Sequence, residues 1–144
     1  MIDPDRTIIR KCEDKMTEKE LNQYSPLTLA FMGDAVYEML VRERIVTGAN
    51  MPVRKLHDLT IEKVCAEFQA AAVKRLTESE LLTEDEQAVF RHGRNAGGVT
   101  APKHSTVAEY RAATGLECLF GYLHLLGREE RIREIFSLIW KENA

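Results

Sequence analysis

Two apolar segments that read as helices each carry a single acid, and this pairing constrains the fold more than any other feature. Asp34 lies within Leu27–Val36, and Glu117 lies within Gly115–Leu123. An ionised carboxylate among apolar side chains is costly unless a cation or hydrogen-bond donors compensate it. We therefore expect the two helices to bring their acids together around a metal or a substrate. The alternative, in which each acid faces solvent at the edge of its apolar stripe, remains open at this point.

Small residues accompany both acids. Gly33 precedes Asp34 directly, and Gly121 follows Glu117 by one helical turn. Because glycine has no side chain, a second backbone or a ligand can approach closely at these positions. The glycines therefore favour a shared site over two unrelated surface acids.

The apolar pattern is helical nearly throughout the chain, and no strand pattern or internal repeat stands out. Caps and breakers mark the ends of the helices: Ser25-Pro26 predicts a start, Thr83–Glu86 is a capping box, and Gly127 predicts a stop. We predict a single all-α domain at residues 17–144 after a loose N-terminal leader at residues 1–16. The expected helices are 26 to about 44, 52 to about 75, 84 to about 92, 106 to 126, and a last one that places Ile132, Ile135, Phe136, Ile139 and Trp140 on one face. The apolar stripe of the second helix comprises Leu56, Leu59, Val64, Phe68, Ala71, Ala72 and Leu76.

Composition is that of a globular intracellular domain. Of 144 residues, 44% are hydrophobic and 30% are charged, and no apolar stretch approaches the roughly 20 residues that span a bilayer. The N-terminus lacks a signal-peptide pattern, and Cys12, Cys65 and Cys118 form no CxxC pair, so a cytoplasmic location without a membrane is expected. The net charge of −3 argues against non-specific coating of nucleic acid, although it permits a local basic patch.

Such a patch surrounds a glycine-rich segment in the second half of the chain. Arg91 and Arg94 precede the predicted loop 95–102, Asn95 begins it, and Lys103 follows it. Arginine guanidinium and lysine ammonium groups bind phosphate well, and glycine lets backbone amides approach a phosphate closely. A helix end whose cations complement its own dipole is the plainer interpretation of the same residues.

The two acidic segments resemble a known family. Met32–Val36 resembles the signature helix of the ribonuclease III endonuclease domain, and Leu116–Leu123 resembles its second catalytic helix, in the same order. The catalytic-domain-only Mini-ribonuclease III form is closer still, because Tyr24–Glu38 looks like its first helix. Further matches are Arg91–Asn95, Pro102-Lys103 and Tyr110–Glu117, so that the resemblance covers about residues 20–142.

The resemblance implies an all-α ribonuclease III endonuclease-like fold that forms a homodimer with an RNA-binding valley across its interface. It implies Mg²⁺-dependent hydrolysis of double-stranded RNA into 5′-phosphate and 3′-hydroxyl ends, in the maturation of 23S ribosomal RNA precursor. Asp34 and Glu117 match the catalytic metal-binding acids, and Arg91, Arg94, Asn95 and Lys103 would bind the substrate. Without the double-stranded-RNA-binding domain of the larger enzymes, affinity would come from the dimer surface or a partner, with a large-subunit ribosomal protein as the candidate.

Two departures from the larger enzymes keep a second function open. Ala30 and Thr114 stand where those enzymes carry two further acids. Their loss is what a non-catalytic copy, retained for RNA binding or dimerisation on the ribosome, would show. Retention of Asp34 and Glu117 argues for catalysis, because Mg²⁺ needs few protein ligands. Glu38, one turn after Asp34, could orient metal waters or simply pair with Arg42.

Overall fold

The computed structural model describes residues 15–96 and 103–141, and within these ranges the chain is helical without strands. It places Met16 against the end of the sixth helix, where Met16 N donates to Leu125 O at 2.9 Å. The predicted leader lies otherwise outside the described residues, so the boundary at 16/17 stays a prediction. The helices are α1 (Glu18–Leu21), α2 (Pro26–Gly48), α3 (Val53–Val64), α4 (Ala66–Glu78), α5 (Glu84–Ala96), α6 (Val107–Leu125) and α7 (Glu129–Lys141).

Two long helices, α2 and α6, form the centre of the molecule. Ser25 Oγ accepts a hydrogen bond from Leu27 N, and Pro26 occupies the first turn of α2, as the sequence predicts. α2 continues one turn beyond the predicted end. Thr106 and Glu109 form a capping box that starts α6, and Gly127 follows its end with φ +79°. α6 packs against α2, α4 and α5, so most of its middle is buried.

The expected helix from 52 to about 75 is wrong as a single helix. Cys65 has extended backbone angles (φ −68°, ψ 153°), and the chain bends there between α3 and α4. Two side chains bond the last carbonyls of α3: Tyr37 Oη donates to Lys63 O at 2.6 Å, and Gln69 Nε2 donates to Val64 O at 3.0 Å. The bend is therefore held by tertiary hydrogen bonds that a periodicity cannot reveal.

The bend also changes which residues of α4 are buried. Ala71, expected on the apolar stripe, is exposed. The buried positions are Gln69, Ala72, Val73 and Leu76, which share one helix face at spacings of three and four. α4 therefore turns an amide side chain toward the core.

The hydrophobic core joins α2, α6 and α7 through an aromatic cluster. Tyr37 is fully buried, and its ring centroid lies 5.8 Å from that of Phe120 and 5.9 Å from that of Phe136. These separations fall within the range of favourable aromatic pairs. No helix in the described ranges is long and apolar enough to cross a membrane.

α5 is longer than expected and is anchored to α7 by a buried ion pair. It extends to Ala96, so Asn95 belongs to the helix; of the predicted loop, residues 97–102 lie outside the described residues. Arg131 donates from Nε and Nη2 to the two carboxylate oxygens of Glu86, each at 2.8 Å. Burial by itself raises the pKa of Glu86, but hydrogen bonds from Arg131 and Thr83 hold it below its usual value.

Glu86→Gln should destabilise the fold by about 2 kcal/mol at pH 7, because it removes the buried charged partner of a partly buried guanidinium and leaves only the exposed Glu134. Since the folded-state pKa of Glu86 is lowered, its contribution is present above the unfolded-state pKa and is lost as pH falls through the folded value. Urea unfolding at pH 7 and below pH 4 measures both effects.

Glu134→Gln is the matched control, because Glu134 accepts from the same Arg131 at 2.8 Å but is 64% exposed. It should cost less than about 1 kcal/mol. Equal losses for the two variants would contradict a structural role for the buried pair.

Candidate active site

α2 and α6 cross at glycines on both sides, and this crossing brings the two sequence-predicted acids together. A Cβ added at Gly33 would lie 1.6 Å from the carbonyl oxygen of Glu117, and one added at Gly121 would lie 1.9 Å from that of Leu29. The helix backbones therefore touch where any side chain would hold them apart. The structure confirms the close approach of the two helices that the glycines predict.

Asp34 and Glu117 share the wall of one open cavity of about 410 Å³. Their carboxyl groups lie close enough for Asp34 to raise the pKa of Glu117. The two acids differ in burial, because Asp34 is exposed and Glu117 is half-buried. The alternative in which each acid faces solvent alone does not describe Glu117, because this residue is half-buried and shares the cavity with Asp34.

Glu117 resists ionisation in this setting. Burial raises its pKa to about 8, helped by the hydrogen bond to Asp34 and by the negative charge of that residue, and opposed by a hydrogen bond from Gln69. Two carboxyl groups at one site cannot both ionise cheaply without a cation between them. The pair therefore has the electrostatics of a cation site.

The rest of the cavity wall contains residues that the sequence singled out and others that it did not. Ala30 and Thr114, which replace the two further acids of the larger enzymes, both lie on the wall, and Thr114 Oγ1 donates to Tyr110 O at 3.0 Å. Within the described ranges, no group of three or more His, Cys, Asp or Glu side chains forms a metal cluster. The other lining residues are Leu27, Phe31, Val64, Ala66, Gln69, Tyr110 and Ala113.

Gln69 is the site residue that sequence reasoning missed. Its signal was present in the sequence, because Gln69 lies in register with Ala72, Val73 and Leu76 on one helix face. An amide on an otherwise apolar face needs partners. Gln69 was missed because the sequence predicts one continuous helix across Cys65, and Gln69 does not lie on the apolar face of that helix.

Glu38 does not line this cavity. Its carboxylate forms an ion pair with Arg42 on the same helix, at 3.4 Å. Glu38 lines a separate surface pocket, together with Met39 and Val46. Of the two roles left open for Glu38, the structure shows the pair with Arg42.

The basic residues lie outside the cavity wall. Arg91, Arg94 and Asn95 are exposed on the last turns of α5, and Lys103 is exposed where the described chain resumes. Arg94 Nε donates to Asn95 Oδ1 at 3.3 Å, and its guanidinium lies 5.8 Å from the ring centroid of Phe90. The four residues are thus accessible to a large ligand, and their role in binding stays a prediction.

Comparison with known proteins shows the class of enzyme to which this chain belongs. Residues 27–128 match the Ribonuclease III domain family, and this match includes both helices of the acid pair. The chain is also similar to a solved structure of a Fusobacterium nucleatum protein, with a TM-score of 0.76 and 31% identity over 86% of this chain and 99% of that one.

Two relatives of known name show which family within this class the chain belongs to. The chain is 46% identical over 123 residues to Mini-ribonuclease 3 of Thermoanaerobacter sp. (strain X514), covering 85% of each protein. It is 49% identical over 112 residues to Mini-ribonuclease 3 of Symbiobacterium thermophilum, covering 78% of this chain and 85% of the relative. The chain therefore belongs to the Mini-ribonuclease 3 (Mini-ribonuclease III) family of ribonuclease III-type endoribonucleases.

Proposed function

We propose that this endoribonuclease is Mg²⁺-dependent and hydrolyses double-stranded RNA in the cytoplasm, leaving 5′-phosphate and 3′-hydroxyl ends. The proposed natural substrate is the precursor of 23S ribosomal RNA, and the proposed accessory partner is a large-subunit ribosomal protein. The observation that carries the proposal is the pair of carboxyl groups, Asp34 and Glu117, delivered by two crossing helices to one open cavity.

The donor set of the cavity fits a magnesium ion. Mg²⁺ prefers oxygen ligands, keeps several waters and commonly uses only one or two carboxylates together with substrate phosphates. The cavity offers two carboxylates and leaves one buried amide oxygen, Gln69 Oε1, without a hydrogen-bond partner. When bound, the cation would polarise the phosphate and lower the pKa of an attacking water.

The protein's own residues would hold and orient this chemistry. Asp34 is exposed on the cavity wall and is reachable by an RNA phosphate, whereas Glu117 is half-buried and lies beside Asp34 and Gln69. The open form of the cavity suits a duplex backbone better than a small enclosed substrate. Recognition through backbone and 2′-hydroxyl groups would make local RNA shape matter more than base identity.

The test is cleavage of a uniformly labelled RNA duplex with and without Mg²⁺, with mapping of the product ends. Metal-dependent cuts with 5′-phosphates support the proposal. Tight duplex binding without cleavage at any Mg²⁺ concentration would instead support a non-catalytic RNA-binding or dimerisation module on the ribosome.

We expect the active form to be a homodimer, because α2 presents unusual apolar exposure beside the site. Phe31 is 82% exposed and Leu27 is 49% exposed, and both line the cavity. Phe31→Glu should produce monomers in light scattering and lose duplex cleavage, since a charge there would oppose burial against a second copy.

Val53→Glu is the control for the dimer, because Val53 is 79% exposed at the first position of α3. Glutamate suits a helix N-terminus, so this variant should remain dimeric and active. A wild-type protein that scatters as one chain at micromolar concentration while fully active would contradict the dimer.

The exposed basic residues should govern binding rather than chemistry. Arg94→Ala with Lys103→Ala should weaken duplex RNA binding and flatten its salt dependence by roughly one unit of slope per lost phosphate contact. Single-turnover cleavage at saturating RNA should change far less, because neither residue lines the cavity.

Lys19→Ala with Lys74→Ala removes the same charge from α1 and α4 and serves as the control. It should leave the salt slope unchanged. If Arg94→Ala with Lys103→Ala keeps its RNA affinity but loses its single-turnover rate, these residues serve the catalytic step and the division of roles is wrong.

A further inference from the structure

Gln69 is a buried amide whose two ends have unequal surroundings. The residue is 2% exposed and lines the cavity of Asp34 and Glu117. Its Nε2 donates to Val64 O at 3.0 Å, and the amide lies close enough to the Glu117 carboxyl to lower the pKa of that group, whereas its Oε1 is buried and accepts no hydrogen bond. One half of the amide is thus satisfied by the fold, and the other half is not.

The orientation of this amide follows from its neighbours. A flipped side chain would put Oε1, which can only accept, against the carbonyl oxygen of Val64. A backbone carbonyl offers no donor, so the flipped form would lose the hydrogen bond to Val64 and set two acceptor oxygens against each other. Nε2 therefore faces the Val64 carbonyl, and Oε1 is the atom without a partner.

A purely structural role accounts for the Nε2 end of the Gln69 amide but not for the Oε1 end. Capping the end of α3 needs Nε2, and the bond to Val64 supplies that cap. It does not explain a buried acceptor without a partner, which is rare in native proteins and has causes that include a catalytic role or a bound water or ion. A bound group that brings a donor to Oε1 would resolve the mismatch.

We propose that Gln69 is the third polar group of the metal site, where Oε1 accepts a hydrogen bond from the hydration water of the divalent cation while Nε2 orients the Glu117 carboxyl. This inference rests on the proposed function, because it assumes that Asp34 and Glu117 hold that cation. Gln69 is a positioning residue in this arrangement: it holds a ligand on one side and the cation's water shell on the other. Partners of this kind fix the geometry of metal ligands and tune affinity.

The test measures Mn²⁺ binding to the full-length protein without RNA, by isothermal titration calorimetry. Gln69→Met keeps the approximate side-chain volume but removes both donor and acceptor, and should weaken Mn²⁺ binding by about tenfold or more. Gln69→Glu keeps an acceptor while losing the Nε2 donor, and should bind Mn²⁺ at least as tightly as the wild type. Cleavage by Gln69→Met should recover as the metal concentration is raised.

Tyr37→Phe is the matched structural control. Tyr37 Oη holds the same bend through Lys63 O at 2.6 Å, so this variant loosens the bend without removing a polar group from the cavity wall. It should keep the wild-type Mn²⁺ affinity. Thermal melts of all variants show how much each loses in stability.

Two results would overturn the inference: wild-type Mn²⁺ affinity in Gln69→Met, or an equal loss of affinity in Tyr37→Phe. If Gln69→Met does not fold, Gln69→Glu decides, and a loss of Mn²⁺ affinity in that variant overturns the inference. Failure of the proposed function is a different result, because then the wild type itself would bind no divalent cation or cut no duplex.

Discussion

Asp34→Asn is expected to lower duplex RNA cleavage by about 10³-fold, since a lost cation contribution of several kcal/mol corresponds to a rate loss of that order. The fold should remain intact, because Asp34 is exposed and asparagine has nearly the same size. The free energy of unfolding should stay level or rise, since asparagine carries no negative charge that would oppose the ionisation of Glu117. Single-turnover cleavage at saturating Mg²⁺ and a thermal melt measure the two effects.

The control is Glu38→Gln, which removes another acid of the same helix. Glu38 pairs with Arg42 and does not line the cavity, so its loss should leave cleavage near the wild-type rate. Normal turnover by Asp34→Asn would contradict the assignment of Asp34 as a metal ligand.

Glu117→Gln should resemble Asp34→Asn in rate. The double variant should be little slower than either single one, because the two acids act as a unit.

Gly33→Ala is expected to destabilise the protein by about 3 kcal/mol or more, at or beyond the upper end for overpacked cores. Its Cβ would meet the Glu117 backbone oxygen at 1.6 Å, and a backbone atom cannot move aside as a flexible side chain can. The folded fraction should also cleave slowly, because separating α2 from α6 separates the two acids. Denaturant unfolding and cleavage per folded molecule measure the two effects.

Gly48→Ala is the matched control on the same helix. A Cβ there would meet nothing within 4 Å, so the change should be neutral or stabilise by up to about 1 kcal/mol through higher helix propensity. If Gly33→Ala were as stable as Gly48→Ala, the close crossing would be wrong, and with it the geometry that pairs the acids.

The acid pair could be predicted from the sequence because its signal is local. Asp34 and Glu117 are conspicuous as single charges in apolar helical segments, and Gly33 and Gly121 mark the crossing. The starts of α2, α5 and α6 were equally readable, since Ser25, Thr83 and Thr106 satisfy the first free amides of their helices. Family resemblance added the chemistry, which spacing alone does not specify.

The bend at Cys65 could not be predicted in the same way. The apolar spacing of residues 56–76 suits one continuous helix, whereas the observed bend depends on Tyr37, which is distant in sequence, and on Gln69. Gln69 consequently escaped notice as a site residue. The unequal exposure of Asp34 and Glu117 escaped for a related reason, because an apolar neighbourhood in sequence does not say which side of a helix another helix covers.

The sequence by itself determined the all-helical fold, the starts of α2, α5 and α6 and the two acids that meet, because caps, apolar period and lone charges act over a few residues. Tertiary structure alone decided the bend between α3 and α4, the burial of Glu117 against the exposure of Asp34, and the place of Gln69 between Val64 and Glu117. Each of these depends on contacts between α2, α4 and α6, whose free energy arises only when the helices pack together.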